Sequence, residues 1–364
     1  MKYILSGGGT GGHIYPALAI ANEIKNRDKN ADILYIGTKN GLEAEIVPKA
    51  GFNFKAIDVK GLPRKKVNVE TVKTLLALYK GLRQCEKIIS EFKPDIVIGT
   101  GGYVCAPIVL KAQQKHIPTV IQEQNAYPGK TNKYLAKRAS LIALNFKEAK
   151  KYFNEKNVIF TGNPIRSNFE HISKEEALKK LSYEGNIKTV LSFGGSGGQE
   201  STNEAVIEII KSKKNLDFRF IHITGKVHYE SFMNAIKDIE LPKNIIIKDY
   251  SFEIPDLLMI SDLVVASSSA MTLAEISAVG LPSILIPKAY TAGNHQVFNA
   301  KSYAEKGASQ IIYEDKLNGE LLFEKITALL KDDDKLKEMS KNAKSLGNIS
   351  AVKELVDNIL KVVD

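Results

Sequence analysis

The sequence predicts an α/β protein made of two similarly built halves, each a parallel sheet with helices packed on it. Short β-rich apolar runs alternate with helical patterns along the whole chain, which is how parallel α/β layers read, with ligands at the carboxyl ends of strands. An apolar run that ends in clustered glycines and passes straight into a helix pattern occurs twice, at residues 4–13 (ILSGGGTGGH) and 190–198 (VLSFGGSGG). Glycine lets the backbone take positive φ and approach a ligand closely, and the N–H groups opening the next helix favour an anion.

In the first half, strands are expected near residues 2–6, 33–37, 54–59, 95–99, 119–123, 141–144 and 158–161. Gly7, Gly9 and Gly12 satisfy G-x-G-x-x-G, but a dinucleotide site also needs an acidic residue about 20 positions on to hold a ribose. The second strand instead ends in Thr38 and Lys39. Residues 61–92 open with GLPRKK and continue as a helix whose apolar positions, Leu75, Leu76 and Tyr79 among them, cover more than one face. With Arg64, Lys65 and Lys66 at its entrance, part of that helix is expected to touch lipid. Residues 95–107 (DIVIGTGGYVCAP) repeat the strand-then-glycine theme, so Gly101 and Gly102, followed by Tyr103, form a second concave backbone surface for phosphate oxygens. QEQN at 122–125 places Glu123 and Asn125 at a strand end, and TGNPIR at 161–166 suits a hinge between halves, with Arg166 as a ligand clamp.

In the second half, strands are expected near residues 188–193, 218–224, 245–250, 263–267, 283–287 and 309–313. After the fourth, Ser268, Ser269 and Thr272 precede a helix carrying Glu275. Hydroxyls and backbone N–H groups there suit a diphosphate and the carboxylate a ribose diol, unless the hydroxyls serve only as a cap. GNHQVFNA at 293–300 offers His295, Gln296 and Asn299, amides that match sugar hydroxyls. Asp332 and Asp334 read D-x-D without a preceding apolar strand, so no metal site is expected there.

Composition narrows the partners. The 364 residues, 44% hydrophobic and 25% charged, are those of an ordinary globular chain with room for two cores. Cys85 and Cys105 show no ligand spacing, and residues 1–9 run directly into a glycine turn, so no signal peptide is expected. Of the net +10, residues 1–166 carry +14 and the remainder −4, which points to an anionic surface met by the first half only. Nucleic acid is disfavoured, because the basic half has neither an aromatic-rich stripe nor a helix-turn-helix pattern.

Taken together, GGTGGH at 8–13, GTGGYV at 99–104, EQN at 123–125, NPIR at 163–166, GGS-x-G at 194–198, SAMTLAE at 269–275 and HQ-x-x-NA at 295–300 resemble, in order and spacing, the MurG family. That resemblance implies a GT-B glycosyltransferase, with two Rossmann-like domains separated by a cleft: an acceptor domain over residues 1–163, a UDP-sugar domain over 164–348, and a last helix at about 349–364 returning to the first. It implies inverting transfer of N-acetylglucosamine (GlcNAc) from UDP-GlcNAc to the 4-hydroxyl of N-acetylmuramic acid (MurNAc) in undecaprenyl-diphospho-MurNAc-pentapeptide, lipid I. The location implied is the cytoplasmic side of the cell membrane, as a peripheral protein on an anionic surface.

By similarity the donor meets Thr10, Gly11, Gly12, Asn125, Arg166, Ser196, Ser251, Ala270, Met271, Thr272, Leu273, Ala274, Glu275 and Gln296. His13 is the first choice of general base and Glu123 the second, with backbone amides in place of an obligatory metal ion and no cofactor. The chain departs from the usual family pattern at Gln122, Gly197, Gln199, Ser267 and Ser269. The competing enzyme readings are a diacylglycerol glycosyltransferase and a UDP-GlcNAc 2-epimerase.

Overall fold

The computed structural model describes residues 1–61, 69–153, 156–165, 169, 173–184, 187–195, 197–212 and 216–363, with the side chains of 69–73, 75 and 292 also left out. The chain divides into two compact units, Met1–Ile165 with Ser350–Asp364, and Arg166–Ile349.

The first unit runs β1 (Lys2–Gly7), α1 (Gly11–Arg27), β2 (Asp32–Thr38), α2 (Glu43–Lys49), β3 (Asn53–Ile57), α3 (Val69–Phe92), β4 (Ile96–Gly101), α4 (Ala106–Gln114), β5 (Thr119–Glu123), α5 (Lys130–Ala136), β6 (Leu141–Leu144) and β7 (Val158–Phe160). The second runs α6 (Lys174–Leu181), β8 (Thr189–Phe193), α7 (Glu200–Ser212), β9 (Arg219–Ile223), α8 (Tyr229–Ala235), β10 (Ile245–Lys248), α9 (Ile254–Ile260), β11 (Leu263–Ala266), α10 (Ala270–Val279), β12 (Ser283–Leu285), α11 (His295–Glu305), β13 (Ser309–Ile311), α12 (Gly319–Lys331) and α13 (Asp333–Leu346). The last helix, α14 (Ala351–Val363), belongs to the first unit.

All pairings are parallel, in the orders β3-β2-β1-β4-β5-β6-β7 and β10-β9-β8-β11-β12-β13. Both orders reverse direction beside a central strand, between β1 and β4 and between β8 and β11. Successive crossover helices leave opposite faces at such a point and open a crevice above the strand ends. The two glycine turns sit there because they follow β1 and β8.

Strands buried on both faces read as continuous apolar runs, as in LVVA of β11 and LIAL of β6. The first core joins Tyr3, Leu5, Ile14, Ile20, Tyr35 and Ile98 to Leu355, Val356 and Ile359 of α14. Arg27 of α1 pairs with Asp357 and donates to the Lys353 carbonyl at 3.0 Å. The second core gathers Val190, Val206, Ile209, Phe220, Phe232, Val265 and Ile326.

Candidate active site

In the first unit, β1 ends against β4 with Ser6 opposite Gly99 and Gly7 opposite Gly101, and the register slips between them. The slip brings the glycine turns after β1 and β4 together around His13. A Cβ built on Gly101 (φ +107) would stand 2.8 Å from His13 Cδ2, and one on Gly102 (φ +78) 2.4 Å from the Gly8 carbonyl oxygen. Glycine is required at both positions, by conformation and by space.

His13, in the first turn of α1, places Nδ1 3.1 Å from the Gly8 carbonyl oxygen and 3.1 Å from Thr10 Oγ1. A carbonyl only accepts, so the contact with Gly8 puts the proton on Nδ1 and leaves the lone pair on Nε2. Thr10, the N-cap residue, makes no side-chain cap bond of its own. Thr10 and Gly12 are exposed and Gly11 half-buried, as access for a ligand requires. Tyr103 lies beside Gly9 and is partly exposed, its phenol pushed up by burial and by the Glu43 charge.

Glu43 was not legible in the sequence. Its fully buried carboxylate accepts from Thr38 N–H at 3.0 Å, Thr38 Oγ1 at 2.6 Å and Gly9 N–H at 3.2 Å. The carboxylate missing from the end of the second strand thus arrives from α2 and fastens the glycine turn itself. Gly8 and Gly41 pack on this group, a Cβ on either coming within 2.8 Å of it.

Glu123 is buried at the end of β5 and accepts from Asn125 N–H (2.9 Å), Asn125 Nδ2 (3.2 Å), Gly129 N–H (3.1 Å) and Asn132 Nδ2 (2.9 Å). Burial pushes its carboxyl up, against those hydrogen bonds. With its acceptor sites filled by the loop that leads into α5, Glu123 fixes Asn125, which is half-buried beside it.

In the second unit, Gly195 and Gly198 take φ of +80 and +72, and Gly198 N–H closes the turn on the Gly195 carbonyl at 3.0 Å. A Cβ on Gly198 would stand 2.1 Å from the Thr224 carbonyl oxygen, so this turn packs backbone to backbone on the end of β9. Beneath it, His222 is buried between Ser192 Oγ and Asn203 Oδ1, each 3.0 Å away. Asn203 Nδ2 donates to Thr224 O at 3.1 Å, which orients that amide. The His222 proton is therefore on Nε2, and Ser192 donates to Nδ1.

Burial drives the His222 imidazolium down to about 3. A folded-state value below the unfolded 6.5 makes this histidine stabilising at neutral pH, and that contribution is lost as pH falls below about 6.5 towards 3. Thermal unfolding followed from pH 7 to 5 is expected to show a slope of up to about 1.4 kcal/mol per pH unit from this one group, and His222→Gln to flatten it. Equal slopes in both proteins would contradict the assignment.

The hydroxyls ahead of α10 divide between roles. Ser269 is the N-cap, accepting from Thr272 N–H at 3.3 Å and meeting Thr272 Oγ1 at 2.8 Å, so the capping alternative holds for this pair. Ser268 donates to the Gln296 carbonyl at 2.8 Å. Ala270, Leu273 and Ala274 are buried, while Met271 and Glu275 are half-buried, which leaves Glu275 the reachable carboxylate of the first turns.

Gln296 is buried with Oε1 accepting from Lys288 N–H at 3.0 Å. Asn299 is fully buried and donates to the Ser268 carbonyl at 3.1 Å, which braces α11 against the Ser268 loop. Ser251 accepts from Glu253 N–H at 3.1 Å in the turn before α9. On α3, Leu76 and Tyr79 are 63% and 61% exposed. Arg64, Lys65, Lys66, Arg166, Ser196 and the side chain of Leu75 lie outside the described residues.

Two family models match the chain: the glycosyltransferase family 28 N-terminal domain over residues 3–144 and the glycosyltransferase family 28 C-terminal domain over residues 189–359. The chain is 47% identical over 366 residues to the UDP-N-acetylglucosamine--N-acetylmuramyl-(pentapeptide) pyrophosphoryl-undecaprenol N-acetylglucosamine transferase of Acetivibrio thermocellus, covering 99% of each chain. It is 46% identical over 355 residues to the enzyme of the same name from Halalkalibacterium halodurans, covering 98% of each. Among solved structures, Acinetobacter baumannii MurG superposes with a TM-score of 0.78 at 24% identity, over 99% of this chain and 100% of that one, which bears on the fold alone. With both halves matched and near-full-length relatives at such identity, the chain belongs to glycosyltransferase family 28 and, within it, to the MurG family.

Proposed function

We propose that this protein transfers GlcNAc from UDP-GlcNAc to the 4-hydroxyl of MurNAc in undecaprenyl-diphospho-MurNAc-pentapeptide, with inversion, converting lipid I to lipid II. The observation that carries the reading is the near-full-length similarity to enzymes of that name. The chemistry of the two glycine sites supports it.

His13 is the base of the proposed mechanism. Its Nε2 lone pair takes the proton of the acceptor hydroxyl as that oxygen bonds to the anomeric carbon, and the bond from that carbon to the diphosphate breaks with its electron pair leaving on UDP. The negative charge on UDP is met by amide dipoles at the starts of α7 and α10, so no divalent ion is needed. Gly101 and Gly102 receive the acceptor diphosphate, Glu275 the ribose diol, and Gln296 the sugar. Glu123 is a positioning residue in this scheme, since its oxygens are already occupied by Asn125, Gly129 and Asn132.

Radiolabelled GlcNAc supplied as UDP-GlcNAc should appear on a lipid I analogue, in preference to other UDP-sugars and equally with EDTA present. Turnover of UDP-GlcNAc without acceptor would favour an epimerase instead, and a rate that EDTA abolishes would refute the metal-free scheme.

We place the membrane contact on α3. No helix among the described residues is long and apolar enough to cross a bilayer. Leu76 and Tyr79 project apolar surface beside a depression of about 420 Å³ lined by Tyr79, Lys80, Arg83, Gln84 and Lys87, a combination that suits an anionic lipid surface. Leu76→Ser with Tyr79→Ser is expected to weaken binding to phosphatidylglycerol vesicles by about tenfold, at roughly 1–2 kcal/mol for the apolar area withdrawn. Unchanged vesicle binding would move the contact elsewhere.

A further inference from the structure

The loop between β12 and α11 carries a lysine with no part in the scheme above. Lys288 is half-buried, and its ammonium donates to the Gly198 carbonyl at 2.6 Å, on the turn between β8 and α7. Its own N–H is held by Gln296 Oε1. The charge therefore rests on a neutral carbonyl and not on a carboxylate. The nearby acid, Glu314, is engaged by neutral donors: Ala289 N–H at 2.7 Å, Ser201 Oγ at 2.7 Å and Gln199 Nε2 at 2.9 Å. Burial alone would raise the Glu314 carboxyl, yet these hydrogen bonds and, less strongly, the Lys288 charge bring it below the usual carboxylate range.

A buried ammonium costs free energy unless something negative repays it. Here burial pulls Lys288 down and Glu314 only partly offsets it. The turn leads into α7 two residues after Gly198, so a phosphate at that helix start would meet amide dipoles with a cation fixed on the turn before them.

We propose that Lys288 is a positioning residue for the diphosphate of the nucleotide-sugar: tied to the Gly198 carbonyl, its ammonium braces the second glycine turn at that residue and sets a positive charge just ahead of α7. The inference rests on the UDP-sugar reading and deepens it. It also joins two donor elements that the sequence presents separately, the GGS-x-G turn through the Lys288 side chain and the HQ-x-x-NA helix through the Lys288 backbone N–H.

Calorimetric titration of the full chain with UDP and with uridine, without acceptor, tests it. Lys288→Met should weaken UDP by about tenfold and uridine by less than about twofold, because only UDP brings phosphate charge to the ammonium. Lys288→Arg should recover UDP binding to within about threefold of the wild type, since it keeps the charge and loses only the fit. Melting temperatures of the three proteins separate a packing effect from a charge effect. Equal weakening of UDP and uridine, no weakening, or an arginine variant no better than methionine would each overturn the proposal. Wild-type protein that binds UDP but labels no lipid acceptor overturns the transferase reading and leaves the lysine result standing; wild-type protein that does not bind UDP overturns both.

Discussion

His13→Ala is expected to lower kcat by about 10²–10⁴-fold while the KM values for donor and acceptor stay within about threefold, the range for losing a positioned general base. The imidazole is fixed by the Gly8 carbonyl and Thr10 hydroxyl at Nδ1 and by the close approach of Gly101 to Cδ2, while Thr100 Oγ1 holds the His13 backbone by donating to its carbonyl at 2.6 Å. The Thr100 bond to the backbone survives removal of the ring, so the alanine variant should fold and bind. A loss confined to acceptor KM, with kcat intact, would reassign the residue to binding the acceptor diphosphate.

The second large effect is expected from two single methyl groups. Gly198→Ala should raise donor KM by tenfold or more with acceptor KM nearly unchanged, and Gly102→Ala should do the reverse. Each adds a Cβ against a backbone carbonyl, at 2.1 Å from Thr224 O and 2.4 Å from Gly8 O, in a residue whose φ is positive. A left-handed non-glycine residue costs about 1–3 kcal/mol, and overpacking a further 1–3 kcal/mol, which the turn relieves by moving its N–H groups. Initial-rate kinetics with each substrate varied in turn would check the pair. Both variants raising the same KM would mean the two turns do not serve different substrates.

The strands were legible because the buried ones are short runs of β-branched and aliphatic residues bounded by turn formers such as glycine, proline, serine, asparagine and aspartate. Leu263, Val264, Val265 and Ala266 could hardly be read otherwise. The glycine turns were legible for a related reason, since only backbone access explains GGGTGG between a strand and a helix. Roles that depend on where a side chain returns in space were not. Glu43 sits five residues beyond the end of its strand, and nothing local marks its reach back to Gly9. Lys288 lies among ordinary loop residues, 90 positions from the carbonyl it holds. Asn299 reads as a sugar ligand from its neighbours, and its bond to the Ser268 carbonyl, 31 positions away, is equally invisible in the sequence. Signals were available in retrospect: Gly37 and Gly41, on either side of Thr38, are small because Glu43 fills the space they leave.

The return of α14 to the first unit has a consequence for how the molecule is made. Leu355, Val356 and Ile359 complete the core that begins with Tyr3 and Leu5, each contributing about 1.5–3 kcal/mol when fully buried. During synthesis, the amino-terminal body therefore waits with an uncovered oily seam until α14 has emerged, while the middle body's segments are made before it. A nascent chain arrested before residue 350 should accordingly show protease resistance in the middle body first, and trigger-factor-like holdases should find their target on the α1 side.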